Sequence, residues 1–199
     1  MTLPDLPILL LAAGASARMQ GRDKLMEDVD GQPLIRRQAQ LARAATSGPV
    51  IITLPPPPHP RYSALEDLEI LCLPVPDAAT GIAASIRTGV AALPPDTQRA
   101  MICLADLPDL TTEDLITVAR AAPDQEHSIW RGATADGRPG HPIVFDQVHF
   151  PALAALTGDR GARNIIKSSK TGLIPLPGTH ALNDLDTPED WAAWRARQS

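Results

Sequence analysis

The sequence predicts an α/β fold whose central, mostly parallel sheet is covered by helices on both faces. Three observations lead there. Short uncharged apolar runs at Ile8–Leu11, Val50–Leu54 and Ala100–Ala105 suit strands buried on both faces. Longer segments with apolar residues at helical spacing lie between them, most clearly after Pro33. The two patterns alternate along the chain, which implies right-handed crossovers between parallel strands. The 199 residues suffice for a single domain over 1–199, and no linker demands a second.

The first strand, Ile8–Leu11, runs into Ala12, Ala13 and Gly14, where small side chains let a ligand lie against the backbone. Arg18 and Lys24 then place two cations just beyond the carboxyl end of that strand, where open α/β sheets bind ligands. The combination fits an anion, above all a phosphate chain. The competing reading is an ordinary Ala/Gly/Ser turn with nothing bound. Neither G-x-G-x-x-G nor the G-x-x-x-x-G-K-[ST] spacing is present. The chain has 15 Arg but only 3 Lys, and Lys167 and Lys170 lie far downstream. An ammonium at position 24 is therefore a departure from the chain's habit. It offers a flexible point charge able to follow a moving phosphate, unlike a planar guanidinium fork.

Pro33 suits the first position of a helix running to about Thr46, which Gly48 and Pro49 end before the strand Val50–Leu54. Pro55 to Pro58, with His59 and Pro60, read as a stiff exposed loop, or as a ligand for a proline-recognising partner. A third strand follows at Glu69–Leu73. Gly81 to Leu93 reads as a loop entering an Ala-rich helix that Pro94 and Pro95 stop, and the fourth strand is Ala100–Ala105. Thr111 to Asp114 open the next helix, with Leu110 stapling onto Leu115 and with Glu113 and Asp114 as capping charges. Ser128–Arg131 and Pro142–Phe145 read as short strands around the turn 136–140, and Ala152–Leu156 and Gly161–Ser168 as helical fragments. A last strand at Leu173–Leu176 precedes a helix capped by Thr187, opened by Pro188 and docked through Trp191 and Trp194.

A net charge of -5 argues against general binding to nucleic acid or anionic membranes. Cys72 and Cys103 sit inside apolar runs and read as buried small hydrophobes in a reducing compartment, not as a disulfide. No positively charged leader and no apolar run of about 20 residues is present, so the chain reads as soluble and cytoplasmic.

Asp106 follows the fourth strand in L-A-D-L-P, at the same sheet edge as Gly14. Two readings stand: a ligand for Mg²⁺, which takes one or two carboxylates plus substrate oxygens, or a loop carboxylate capping its own turn before Pro108. Asp184 and Asp186, in N-D-L-D-T-P-E-D, offer a second carboxylate, while Asp190 is used at the cap of its helix.

These segments, taken in order, carry a family resemblance. L-A-A-G-A-S-A-R-M with Lys24, G-I-A-A-S-I-R-T-G, L-A-D-L-P, G-H-P-I-V-F, G-D-R-G-A-R and D-L-D-T-P-E-D together resemble the nucleotidylyltransferases that finish molybdenum cofactor, nearest the molybdopterin cytidylyltransferase branch. The resemblance implies a three-layer Rossmann-like nucleotidyltransferase domain and a Mg²⁺-dependent transfer of CMP from CTP to the molybdopterin phosphate. It places Leu11, Ala12, Ala13 and Gly14 on base and phosphate contacts, and Arg18 and Lys24 on the triphosphate. Gly81 and Ser85 fall on the nucleobase, and Asp106 and Asp186 on the metal. Arg18, Lys24 and Asp106 are the implied catalytic set. His141 and the turn from Gly161 to Arg163 border the pterin side, although His141 reads equally as a histidine at a strand entrance. A molybdoenzyme or its chaperone is the implied recipient of product. Two departures bear on base preference: Gln20 precedes Gly21 where the family has Gly directly after R-M, and Asp186 is Asn in guanylyl-transferring relatives. A guanylyltransferase, a transferase for another small phosphate such as a sugar phosphate, and a non-catalytic nucleotide sensor or cofactor-handover protein are the alternatives.

Overall fold

The computed structural model describes residues 2–122 and 126–198. The chain opens with β1 (Ile8–Leu11), passes a short 3₁₀ turn at Lys24–Met26, and makes a small hairpin of β2 (Asp28–Val29) and β3 (Gln32–Pro33). Next come α1 (Leu34–Ala45), β4 (Val50–Leu54), α2 (Pro60–Ser63), β5 (Leu71–Pro74), α3 (Ile82–Ala91) and β6 (Arg99–Leu104). The remainder holds α4 (Thr112–Ala121), β7 (Ile129–Ala133), β8 (Pro139–Asp146), α5 (Phe150–Ala154), α6 (Arg163–Lys167), β9 (Thr171–Pro175) and α7 (Pro188–Gln198).

Seven strands form one sheet in the order β5-β4-β1-β6-β8-β7-β9. Only β8 runs against the others; it is antiparallel to β6 and to β7, while β7 and β9 pair in parallel. The alternation of side chains along β1 shows why its four apolar residues are all needed. Ile8 and Leu10 enter the core shared with α1, α4 and α7, whereas Leu9 and Leu11 enter the opposite core beneath α3 and α5. The result is the three-layer, Rossmann-like arrangement that the sequence predicted.

Most element ends lie within two residues of the sequence reading, but several readings change. β8 begins at Pro139, not Pro142, so the turn predicted over 136–140 ends earlier. Pro33 is extended in β3 ahead of α1 instead of being its first helical residue. The third strand is Leu71–Pro74, not Glu69–Leu73, because its only neighbour fixes the register with Ile51 opposite Leu71. Pro60 does not belong to an exposed loop. It starts the one-turn helix α2, capped by the His59 ring, and brings Arg61 into the interior. The strand predicted from Leu173 begins at Thr171, where it meets Ile129. Thr111 and Asp114 form the reciprocal cap foreseen for α4. Trp191 and Trp194 pack edge to face, 5.9 Å between ring centroids, and anchor α7 to the first core. Among the described residues no helix is long and apolar enough to cross a membrane.

Candidate functional site

β1 pairs with β4 on one side and β6 on the other, so the chain order reverses there and a crevice opens at the carboxyl ends of β1 and β6. Eight of the ten predicted residues collect in it, while Arg18 and Asp186 stand at its edge and do not line it. Leu11, Ala12, Ala13, Gly14, Lys24, Gly81, Ser85 and Asp106 all line one cavity of about 360 Å³. Gly14 faces open space, with no atom within 4 Å of where a Cβ would stand, so packing does not require a glycine there. Gly81 is different: its φ is +115° and a Cβ would lie 2.6 Å from the carbonyl oxygen of Gly158. That glycine is required by the approach of the 158–159 backbone and needs no ligand to explain it.

Lys24 is the electrostatic centre. Its Nζ donates to Asp106 Oδ2 at 2.5 Å and to Asp186 Oδ1 at 2.7 Å, with the lysine side chain 13% exposed. Burial alone would lower its pKa, but the Asp106 and Asp186 carboxylates outweigh burial and hold the ammonium above its ordinary value. Arg18, 69% exposed, donates to Asp186 Oδ2 from outside the cavity at 2.5 Å. Asp106 and Asp186, 80 positions apart in sequence, therefore converge on one cation. A backbone bond, Leu185 N to Asp106 O at 3.3 Å, holds the 184–186 segment beside the strand end. Burial, reinforced by the charges of Asp106 and Asp186, raises the pKa of Asp184.

The loop between β1 and Lys24 is shaped from behind. Asp23 accepts Leu25 N at 3.0 Å and caps the turn that carries Lys24. Burial alone would raise the Asp23 carboxyl, but Arg61, Leu25 N and Ser16 hold it below its ordinary value. Gln20 and Gly21, the point of departure from the family pattern, take consecutive left-handed conformations with φ of 53° and 86°. The loop thus turns sharply after Met19, which is fully buried.

A second cavity, of about 440 Å³, shares Leu11, Ile82 and Leu104 with the first. Apolar Ile86, Ile102, Ile143 and Phe145 line it, together with four cations, Arg131, Arg160, Arg163 and Lys167, and one carboxylate, Asp159. His141, Gly161 and Arg163 line this cavity and not the first. Burial, with Arg131 adding to it, pulls the His141 pKa down to about 4, so its imidazole is neutral at neutral pH.

Sequence reasoning missed Arg61, Arg131 and Arg160, and set Lys167 aside as distant. Arg163 and Lys167 fall four positions apart, a helical spacing visible in the sequence, whereas Arg160 precedes α6 and shares no helix face with them. Arg61 gave no such signal, because its importance lies in its burial.

A cavity at the topological switch point, with Lys24 and Asp106 in its wall and Asp186 and Arg18 at its edge, is the site of a nucleotidyltransferase, the class to which the family match assigns the chain. The chain belongs to the MobA-like NTP transferase domain family, whose pattern matches residues 8–172. It is 28% identical over 215 residues to the purine catabolism protein PucB of Bacillus subtilis (strain 168), covering all of both chains. Among solved structures it resembles the complex of Rv0371C with manganese from Mycobacterium tuberculosis H37Rv, at 24% identity and TM-score 0.80, covering 95% of this chain and 97% of that one. It also resembles molybdopterin-guanine dinucleotide biosynthesis protein A from Archaeoglobus fulgidus, at 12% identity and TM-score 0.73, covering 98% of this chain and 100% of that one.

Proposed function

We propose that this nucleotidyltransferase moves CMP from CTP to the phosphate of molybdopterin and releases pyrophosphate, acting as a single cytoplasmic domain over 1–199. The observation that carries the reading is the Lys24 ammonium held between Asp106 and Asp186 at the cavity formed by Leu11 to Gly14. In the reaction an acceptor phosphate oxygen attacks the α-phosphorus while the bond to the β-phosphate breaks, and the departing pyrophosphate keeps the electron pair. Two anions must approach each other, so the protein's work is to neutralise and align them rather than to supply a nucleophile. Ala12 to Gly14 offer backbone against which the nucleotide lies, with Gly81 and Ser85 toward the base. Lys24 and Arg18 balance the charge that grows on pyrophosphate.

A divalent metal fits the residues present. Asp106 Oδ1 is buried and has no hydrogen-bond partner among the described residues, which leaves a carboxylate oxygen free to ligate. With Asp186 it would give the one or two protein carboxylates that Mg²⁺ takes alongside substrate oxygens. The metal would supply Lewis-acid polarisation of the phosphates. The manganese complex of Rv0371C supports a divalent metal, without distinguishing magnesium from manganese.

The second cavity favours a pterin over a sugar. A flat ring rests on Ile86, Ile102, Ile143 and Phe145, and its phosphate meets the surrounding guanidinium and ammonium groups. A sugar would set its hydroxyls against that apolar floor without partners. The product would pass to a molybdoenzyme or its chaperone. The test is pyrophosphate release from Mg²⁺, molybdopterin and each nucleoside triphosphate in turn. CTP is expected to be preferred; use of GTP alone moves the protein to the guanylyl branch, and release from none of them ends the proposal. Asp106→Asn separates enzyme from sensor: an enzyme loses turnover, whereas a sensor binds CTP as before.

A further inference from the structure

Arg61 is the most deeply buried charged residue among those described, with 1% of its surface exposed. It stands behind the phosphate loop, and a guanidinium so placed costs several kcal/mol unless fully paired. The pairing is close to complete. Nε donates to Asp23 Oδ2 at 2.8 Å and Nη2 to Asp23 Oδ1 at 2.6 Å, a bidentate fork. Nη1 donates to the carbonyl of Ala12 at 2.6 Å, and Nη2 also reaches Ser16 Oγ at 3.3 Å.

Those three acceptors lie at the beginning, middle and end of the loop that carries Arg18. Two of them in turn hold the backbone at Lys24: Ser16 Oγ accepts Lys24 N at 3.2 Å, and Asp23 Oδ1 accepts Leu25 N at 3.0 Å. Ser16 has a φ of 52°, a conformation that persists in a non-glycine residue only where its surroundings impose it. We propose that Arg61 is a positioning residue for nucleotidyl transfer. Its fork ties Ala12, Ser16 and Asp23 into one rigid piece and so fixes the point from which Lys24 reaches the carboxylates and the triphosphate. This rests on the reading of Lys24 as the residue that holds the triphosphate. A lysine has three donors but on a single nitrogen, so it cannot reproduce the planar fork on Asp23 while also reaching the Ala12 carbonyl and Ser16 from separate nitrogens. The proline-rich run before α2 therefore has a purpose: it carries the chain to the place where Arg61 turns inward.

The experiment uses the full chain with Arg61→Lys and Ser16→Ala, each alone and combined with Lys24→Met, with CTP, Mg²⁺ and molybdopterin. Circular dichroism and thermal melts establish folding. For folded Arg61→Lys, kcat is expected to fall about 100-fold with the acceptor KM held within about twofold, as loss of reactant placement does. On the Lys24→Met background the same change should cost less than about threefold, since the residue it acts through is gone. A folded Arg61→Lys enzyme with wild-type kcat, or losses that simply multiply with Lys24→Met, overturns the proposal. If Arg61→Lys does not fold, Ser16→Ala is judged by the same criteria, with a smaller expected loss of about tenfold. A binding arm separates this inference from the choice of acceptor. By calorimetry with Mg²⁺ and inorganic pyrophosphate, the variant should bind at least about tenfold more weakly. Equal affinity overturns the role of Arg61 even if wild-type protein releases pyrophosphate from no nucleotide at all.

Discussion

The two cavities on either side of Leu11, Ile82 and Leu104 are built on opposite plans. On the side proposed for the nucleotide the charges are paired within the protein: Lys24 with Asp106 and Asp186, Arg18 with Asp186, and Arg61 with Asp23. On the side proposed for the acceptor Arg131 gives Nε to the Gly140 carbonyl, while Arg160, Arg163 and Lys167 form no ion pair among the described residues. A paired site has its geometry before any ligand arrives, which suits a reaction shared by a whole family. An unpaired basic rim over an apolar floor is completed by its ligand, which suits the half that selects the acceptor.

Lys24→Met is the strongest way to sharpen that contrast. Removing a preorganised charge at the departing group should cost about 3–4 kcal/mol of barrier, or two to three decades in pyrophosphate release. The acceptor KM should not move, and a variant that loses acceptor affinity while keeping its rate would erase the distinction. Gly81→Ala strikes the border between the halves. With φ at +115° and the Gly158 carbonyl 2.6 Å from the new Cβ, the change should destabilise the fold by about 2–3 kcal/mol in urea melts. Because Gly81 lines the donor cavity and Gly158 leads into the acceptor rim, both KM values should rise together.

His141 tests the acceptor side through pH. The unfolded chain takes up a proton near pH 6.5, while the folded imidazole stays neutral down to about 4. Stability is therefore lost as pH falls through 6.5, by about 2 kcal/mol between pH 7 and pH 5. His59 and His149 also have lowered values, burial leading in each, so the informative quantity is the difference from His141→Phe. That variant should show a distinctly flatter slope of unfolding free energy over the window, and an unchanged slope would remove His141 as its source. The smallest effect is expected from Arg163→Ala. It should raise the acceptor KM about tenfold, equivalent to about 1.4 kcal/mol, and leave kcat/KM for CTP alone.

The donor side was legible in the sequence because it is local. An apolar run, three small residues and two cations lie within one short stretch, and the strand period fixes which end of the sheet they occupy. Asp106 was legible for the same reason, directly after a strand. Asp186 was not: nothing in its own neighbourhood says that Leu185 will hydrogen-bond to the Asp106 carbonyl, and only the family resemblance singled it out. Arg61 lay wholly out of reach. Residues flanked by prolines read as exposed, and its burial is decided by a loop some 40 positions upstream, Asp23 being 38 residues away. The third strand slipped by two residues because an edge strand takes its register from a single neighbour rather than from its own pattern.

Asp186 is contributed by chain 162 residues beyond Lys24, in a segment held down by α7 and its tryptophans. The counter-charge on Lys24 is therefore tied to the far end of the fold: Leu185 and the two tryptophans share one core, and Asp186 N donates to Asp190 in the first turn of α7. A change that loosens α7 would reach the phosphate loop through Asp186.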